Sequence, residues 1–227
     1  MDRKNLREIA LIAVVITLCV LLVAIIMGKV LQADYAQDVN EKVSELDTEF
    51  QDLRLALYLE DINKSVSCRY YKEKLKDVKE KITGMRPVLT KLEKDLKIDT
   101  EQYQKLKRRF MAIRLNHWLL SESVREKCGT EHISILYFYT TEEPCGACEQ
   151  QGHLLSYLRK NYDSIKVTPI DMDENLILIN VLKEVYNINV APSLLIDKEK
   201  VMRGYTSKEK IFEYACQKYN NTKPYCS

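Results

Sequence analysis

ISILYFYTTEEPCGACEQQGHLLSYLRKNY, residues 133–162, decides how this chain is read. Its first eight residues form a β-branched and aromatic apolar run of strand length. Pro144-Cys145-Gly146-Ala147-Cys148 then leads straight into a helical segment, so a strand feeds a helix through CxxC. Downstream, SIKVTPID (164–171) reads as a second strand and 174–186 as a helix. Residues 193–197 and 200–205 read as two further strands, and Ser207 starts a last helix. The order is βαβαββα. Crossovers demand parallel neighbours and the terminal hairpin adds antiparallel ones, which makes the sheet mixed.

Over residues 131–227 this arrangement resembles the thioredoxin superfamily of thiol–disulfide oxidoreductases. CGAC follows the first strand, and Ile170-Asp171 ends the second. Tyr186-Asn187-Ile188 precedes Val190-Ala191-Pro192-Ser193, with Pro192 where the family carries its cis-proline, and Gly204 matches the glycine that ends the last strand. The resemblance implies two catalytic cysteines. Cys145, just before a helix, has its thiolate favoured by the helix dipole and free N–H groups, and forms the mixed disulfide with substrate. Cys148, one turn later, resolves it by exchange. Pro192 would pack opposite the pair and leave the backbone of Ala191 to bind an extended substrate segment by β-augmentation. No cofactor is implied.

Three residues depart from the pattern. Pro144 replaces the tryptophan common before the first cysteine, and Ala147 lacks the proline or histidine that helps classify relatives. Tyr139 stands where many members have a buried acid that takes the proton of the second cysteine. Glu142 and Glu143 lie near Cys145 and disfavour its thiolate, opposing the helix dipole. Metal readings fail on spacing. CxxC is half a zinc site, but His153 is the sole histidine near it and no second CxxC or His pair follows. Asp171-Met172-Asp173-Glu174-Asn175 resembles the start of a calcium loop, yet Leu176 stands where the loop needs Gly and the terminal Glu is missing. No metal site is expected.

Upstream, helical periodicity takes over. Val39, Val43, Leu46, Phe50, Leu53 and Leu57 alternate in steps of four and three, as do Cys68, Tyr71, Leu75, Val78, Ile82 and Met85. Tyr103, Leu106, Phe110, Ile113, His117, Leu120 and Val124 form a third such seam. Turn chemistry at Asn63-Lys64-Ser65 and Ile98-Asp99-Thr100 separates the seams, giving an antiparallel coiled-coil stalk over residues 31–130 that runs up, down and up. Gly84 and Pro87 are expected to kink or break its middle helix. Cys68 opens the descending helix and Cys128 closes the last ascending one, which predicts a bridge between them. Cys216 and Cys226 are expected to form a small staple at the C-terminal end. His117 is read as a hydrogen-bonded polar residue setting register. Lys105, Lys107, Arg108 and Arg109 are read as a solvated face, with anionic headgroups as a secondary idea. Asn63-Lys64-Ser65 and Asn220-Asn221-Thr222 fit the N-glycosylation acceptor pattern.

IALIAVVITLCVLLVAIIM (9–27) carries no charge and Thr17 as its only hydrophilic side chain. At 1.5 Å per residue it measures ~28 Å, about a bilayer core, and reads as a transmembrane helix within residues 1–30. It is longer than a signal-peptide core, and Gly28-Lys29-Val30-Leu31 is not a small-residue cleavage site. Arg3, Lys4 and Arg7 before the span place the N-terminus in the cytoplasm and the rest outside. Cys19, within the span, is read as a small apolar residue.

The chain has 227 residues, with 35 Lys and Arg against 33 Asp and Glu. A net charge of +2 offers no chain-wide attraction to phosphate backbones, so nucleic acid is not an expected partner. Six Gly and five Pro are too few for a loop-rich sandwich, and seven Cys exceed what a reduced cytosolic protein of this size needs. The reading is a membrane-anchored, extracytoplasmic oxidoreductase acting on cysteine pairs of exported proteins, oxidation or isomerisation ahead of reduction, with a membrane redox partner. Its alternative is a tethered binding protein whose thioredoxin-like module is non-catalytic.

Overall fold

The computed structural model describes residues 3–58, 64–96, 101–219 and 225–226. The chain divides into two compact units, Met1–Ser44 and Glu45–Ser227.

The first unit is helical, the beginning of α1 (Arg3–Tyr58). Side chains are described over 12–27, and every large apolar one among them is more than half exposed. Thr17 Oγ1 bonds back to the carbonyls of Ala13 and Val14 at 3.0 and 2.9 Å, so its polarity is spent inside the helix. Among the described residues no helix is long and apolar enough to cross a membrane. The span expected at 9–27 extends beyond the side chains described.

In the second unit the end of α1 packs with α2 (Lys64–Leu96) and α3 (Glu101–Cys128). Lys81 of α2 reaches Glu45 and Glu49 of α1 at 2.9 and 2.6 Å, and Tyr71 OH donates to Ala56 O at 2.7 Å, so the two helices run antiparallel. Leu46, Phe50 and Leu53 on α1, Tyr71, Val78, Ile82 and Met85 on α2, and Leu106, Phe110, Ile113, Leu120 and Val124 on α3 are buried. They are the seam residues of the sequence pattern. His117 sits among them with Nε2 3.1 Å from Leu75 O. The middle helix is not broken at Gly84 and Pro87. Both are exposed, so water can take the carbonyl that Pro87 leaves without an N–H partner, and α2 carries Pro87 inside it. The turn at 98–100, Asn63 and the pattern at 220–222 lie outside the described residues.

A four-stranded mixed sheet follows in the order β2-β1-β3-β4. Its strands are β1 (Ile133–Tyr139), β2 (Ile165–Asp171), β3 (Ser193–Ile196) and β4 (Lys200–Arg203). β1 and β2 are parallel in the register Ile133↔Ile165 to Tyr139↔Asp171, β3 is antiparallel to β1, and β4 to β3. With α4 (Gly146–Asn161), α5 (Ile177–Val185) and α6 (Lys208–Lys218) this is the βαβαββα order read from the strand and helix patterns. α5 starts three residues later than expected because Asp171 to Leu176 folds into successive turns, Glu174 N–H to Asp171 O and Leu176 N–H to Glu174 O.

Period-two alternation sends the side chains of β1 to two cores. Leu136 and Phe138 join Ile170, Ile179, Leu182 and Leu195 on one face; Ile133, Ile135 and Tyr137 join Leu155, Leu158 and Ile211 on the other. The first core also contains Met111, Leu115 and Trp118 of α3. That helix therefore has two apolar faces, one in the helical seam and one on the sheet. The division at residues 130 and 131 marks where helix gives way to strand, while packing runs across it.

Candidate active site

The C-terminal end of β1 and the N-terminal end of β3 lie together because the strands are antiparallel, with Phe138 opposite Ser193. The parallel partner of Tyr139 is Asp171. Three connections thus gather at one end of the sheet: the CGAC loop, the turn after β2 and the Ala191–Pro192 segment.

Cys145 caps α4. Its Sγ accepts the Cys148 N–H at 3.1 Å and its carbonyl accepts the Glu149 N–H at 3.1 Å. The side chain thus takes one of the free N–H groups of the helix's first turn, a contact that favours a thiolate once the bridge is reduced, while the carbonyl accepts the first bond of the helix ladder. Cys145 and Cys148 are joined in a disulfide with Sγ atoms 2.04 Å apart. Cys145 is partly exposed, whereas Cys148 is 6% exposed. Of the two residues, Cys145 is the more open to solvent. Tyr137 OH donates to Cys148 O at 2.6 Å, fastening the first turn of α4 to the sheet, and burial pushes this phenol up to about 12. One turn on, buried Gln151 accepts the Thr206 N–H through Oε1 at 2.7 Å, which ties α4 to the turn after β4.

Ala191–Pro192 is a cis peptide bond. Pro192 is buried and Ala191 partly exposed. Gly204, at φ +74°, donates its N–H to Pro192 O at 2.8 Å, and Ser193 Oγ donates to Val190 O at 2.7 Å. The segment is pinned from both sides, and Gly204 takes a backbone conformation that a side chain would strain.

Glu142 and Glu143 are exposed and no buried acid replaces Tyr139 in its own strand. The buried carboxylate is Asp171, one strand away, whose Oδ2 accepts Thr141 Oγ1 at 2.7 Å and meets Lys107 Nζ at 2.7 Å. Lys107 also reaches Glu174 Oε1 at 3.0 Å. Burial opposes its charge, but the bonds and attraction of Asp171 and Glu174 hold its pKa above the ordinary lysine value. Lys107 is therefore neither a solvated residue nor a headgroup contact, in contrast to Lys105, which is exposed and bridged to Glu101. Asp173 Oδ2 accepts Thr140 Oγ1, Thr141 N–H and Glu142 N–H at 2.6, 2.8 and 3.1 Å. Desolvation is outweighed by these bonds, which hold the carboxyl below its usual range. The acidic run resembling a calcium loop is thus spent on the approach to CGAC. Among the described residues no cluster could hold a metal ion, and His153 is exposed.

Four of the other five cysteines form two bridges, Cys68–Cys128 and Cys216–Cys226, with Cα atoms 5.6 and 5.5 Å apart. The second brings Tyr225 onto Phe212, ring centroids 4.5 Å apart, and against Tyr162 at 5.3 Å. Cys19 is a free thiol. Sequence reasoning missed Lys107, Thr141, Asp173, Tyr137 and Gln151, each of which acts through a partner distant in the chain.

No family model and no curated protein matches the chain. Among solved structures, chloroplastic thioredoxin z is 22% identical over 41% of this chain and 83% of its own, with a TM-score of 0.33. A Malassezia sympodialis thioredoxin, Mala s 13, is 16% identical over 42% of this chain and 83% of its own, with a TM-score of 0.32.

Proposed function

We propose that the chain is a membrane-anchored, extracytoplasmic thiol–disulfide oxidoreductase that exchanges disulfides with cysteine pairs of exported proteins. The observation that carries the reading is the asymmetric pair at the start of α4. An accessible Cys145 caps the helix, bridged to a buried Cys148 one turn inside it. In the oxidising direction a substrate thiolate attacks Cys145 Sγ and the Cys145–Cys148 bond breaks, leaving a mixed disulfide and a Cys148 thiolate. A second substrate thiolate then attacks the substrate sulfur of the mixed disulfide and releases Cys145. The substrate leaves with a disulfide and the protein with a dithiol, which a membrane redox partner would reoxidise. Ala191, partly exposed beside buried Pro192, offers backbone to an extended substrate segment.

Anchoring is supported by the apolar stretch at 9–27, by the high exposure of its described side chains and by the internal bonding of Thr17. An outside location suits a chain in which six of seven cysteines are bridged. The test is reduction of insulin by dithiothreitol in the presence of the full chain in mild detergent. Catalysis abolished by Cys145→Ala is the expected result, and absence of turnover in the wild type overturns the proposal in favour of a binding module.

A further inference from the structure

β2 is an edge strand of the sheet, and the hollow beside it, open to solvent on one side, is lined by residues of α2 and α3. It is a cavity of about 620 Å³, within the range that accepts a small organic ligand. Its apolar lining includes Leu75, Ile82, Trp118, Val124 and Val167. Six cationic side chains line it against two carboxylates, Glu131 and Asp163. The cations converge from distant parts of the chain: Lys72, Lys76 and Lys79 from α2, Arg114 from α3, Arg159 from α4 and Lys166 from β2.

Positive charge on this wall exceeds negative. Arg114 is engaged, donating to Pro169 O at 3.3 Å and lying 4.5 Å above the Phe110 ring. Lys79, Lys166 and Arg159 have no ion pair among the described residues. Burial, then repulsion from Lys166 and Arg159, holds the Lys79 ammonium below its ordinary pKa, with Asp163 and Glu80 opposing. His117, pushed down to about 4 chiefly by burial, is neutral at pH 7 and bonded to Leu75 O. Lys166 is exposed and Lys79 and Arg159 are partly buried, so three elements bring these cations to the rim of one apolar hollow, where an anion removes the repulsion.

We infer that the cavity between α2, α3 and β2 is a binding site for an amphiphilic organic anion, its apolar body against Trp118, Leu75 and Val167 and its head group among Lys79, Lys166 and Arg159. The ligand class is a carboxylate, sulfonate or phosphate on an aromatic or aliphatic body. This site is independent of the CGAC chemistry.

The test uses the full chain in nanodiscs of zwitterionic lipid, with empty nanodiscs as blank, and calorimetric titration with naphthalene-2-sulfonate and with the uncharged naphthalene-2-sulfonamide. One saturable site is expected for the sulfonate, with the sulfonamide at least tenfold weaker. Lys79→Gln with Lys166→Gln should weaken the sulfonate at least tenfold and leave the sulfonamide unchanged. Because that variant removes like-charge repulsion, its melting temperature should equal or exceed the wild type's. No saturable heat, equal affinity for the two probes, or an unaffected double variant would each overturn the inference. An Asp- and Glu-rich decapeptide that displaces the sulfonate at lower concentration would also overturn it, assigning the site to a peptide segment.

Discussion

Lys107 Nζ, on α3, lies 2.7 Å from Oδ2 of Asp171, a carboxylate with no solvent exposure at the end of β2. The same oxygen accepts Thr141 Oγ1 at 2.7 Å. One cation from the helical part of the chain therefore sets both the strand end and the loop that leads to CGAC. α3 reaches this point because its second apolar face lies on the sheet.

Lys107→Met leaves Asp171 and Glu174 buried without their cation. Removing one partner of a buried pair costs about 3–5 kcal/mol, and a fall of that order in urea stability is expected. Thr141 and Glu142 amides should exchange faster with solvent, while Lys107→Arg should restore most of both. A cost below about 1 kcal/mol would mean that the carboxylates do not depend on Lys107. Since the folded pKa of Lys107 is raised, its contribution is complete below the ordinary lysine pKa and is lost only as pH rises through the higher folded value.

Asp173 has the opposite sign. Its folded pKa lies below the unfolded one, so its contribution is present above the ordinary carboxylate pKa and is lost as pH falls through the folded value. Asp173→Asn keeps the size but replaces a charged acceptor of three bonds with a neutral one. We expect a loss of about 1–2 kcal/mol at pH 7 that shrinks on acidification, read from urea titrations at pH 7 and pH 3. An equal loss at both would remove the charge from the explanation.

The βαβαββα order was legible because strand periodicity, CxxC and the 190–193 segment are local patterns. The seam residues Phe110, Ile113, Leu120 and Val124 were legible for the same reason. The second face of α3 was not: Met111, Leu115 and Trp118 fall between seam positions, and a helix packed on two sides loses the single stripe that periodicity detects. Lys107 was illegible within a run of basic residues, since its partners stand more than sixty positions away. The basic cavity escaped for the same reason: Lys79, Arg159 and Lys166 meet only after the sheet edge packs beside α2 and α3.

Cys68 and Cys128 close a loop of sequence separation 60, and loop entropy values such a bridge at about 4 kcal/mol. The Cys68→Ser, Cys128→Ser double variant should lose stability of this order in urea. Exchange at CGAC should keep its rate, because the bridge joins the end of α3 to the start of α2, whereas the loop to CGAC is held through Lys107, near the other end of α3. A parallel fall in exchange rate would show that the helices transmit strain to the site.

The direction of exchange follows from where electrons can come from. The described chain offers Cys145–Cys148 as a bridge between a partly exposed and a buried residue, and Cys19 is a lone free thiol. Keeping the pair reduced, as a reductase or an isomerase requires, would need electrons delivered by a separate membrane donor, whereas oxidation suits a compartment in which the other two bridges persist. We therefore expect CGAC mainly oxidised in cells, read by acid-quenched thiol labelling. Cys148→Ser should trap Cys145 in mixed disulfides with exported proteins because the buried resolving thiol is gone, and Cys145→Ser should trap none. Equilibration with glutathione fixes the potential. A pair that is reduced in cells, with a potential near the thioredoxin value of about −270 mV, would reverse the direction while leaving the exchange chemistry at Cys145 in place.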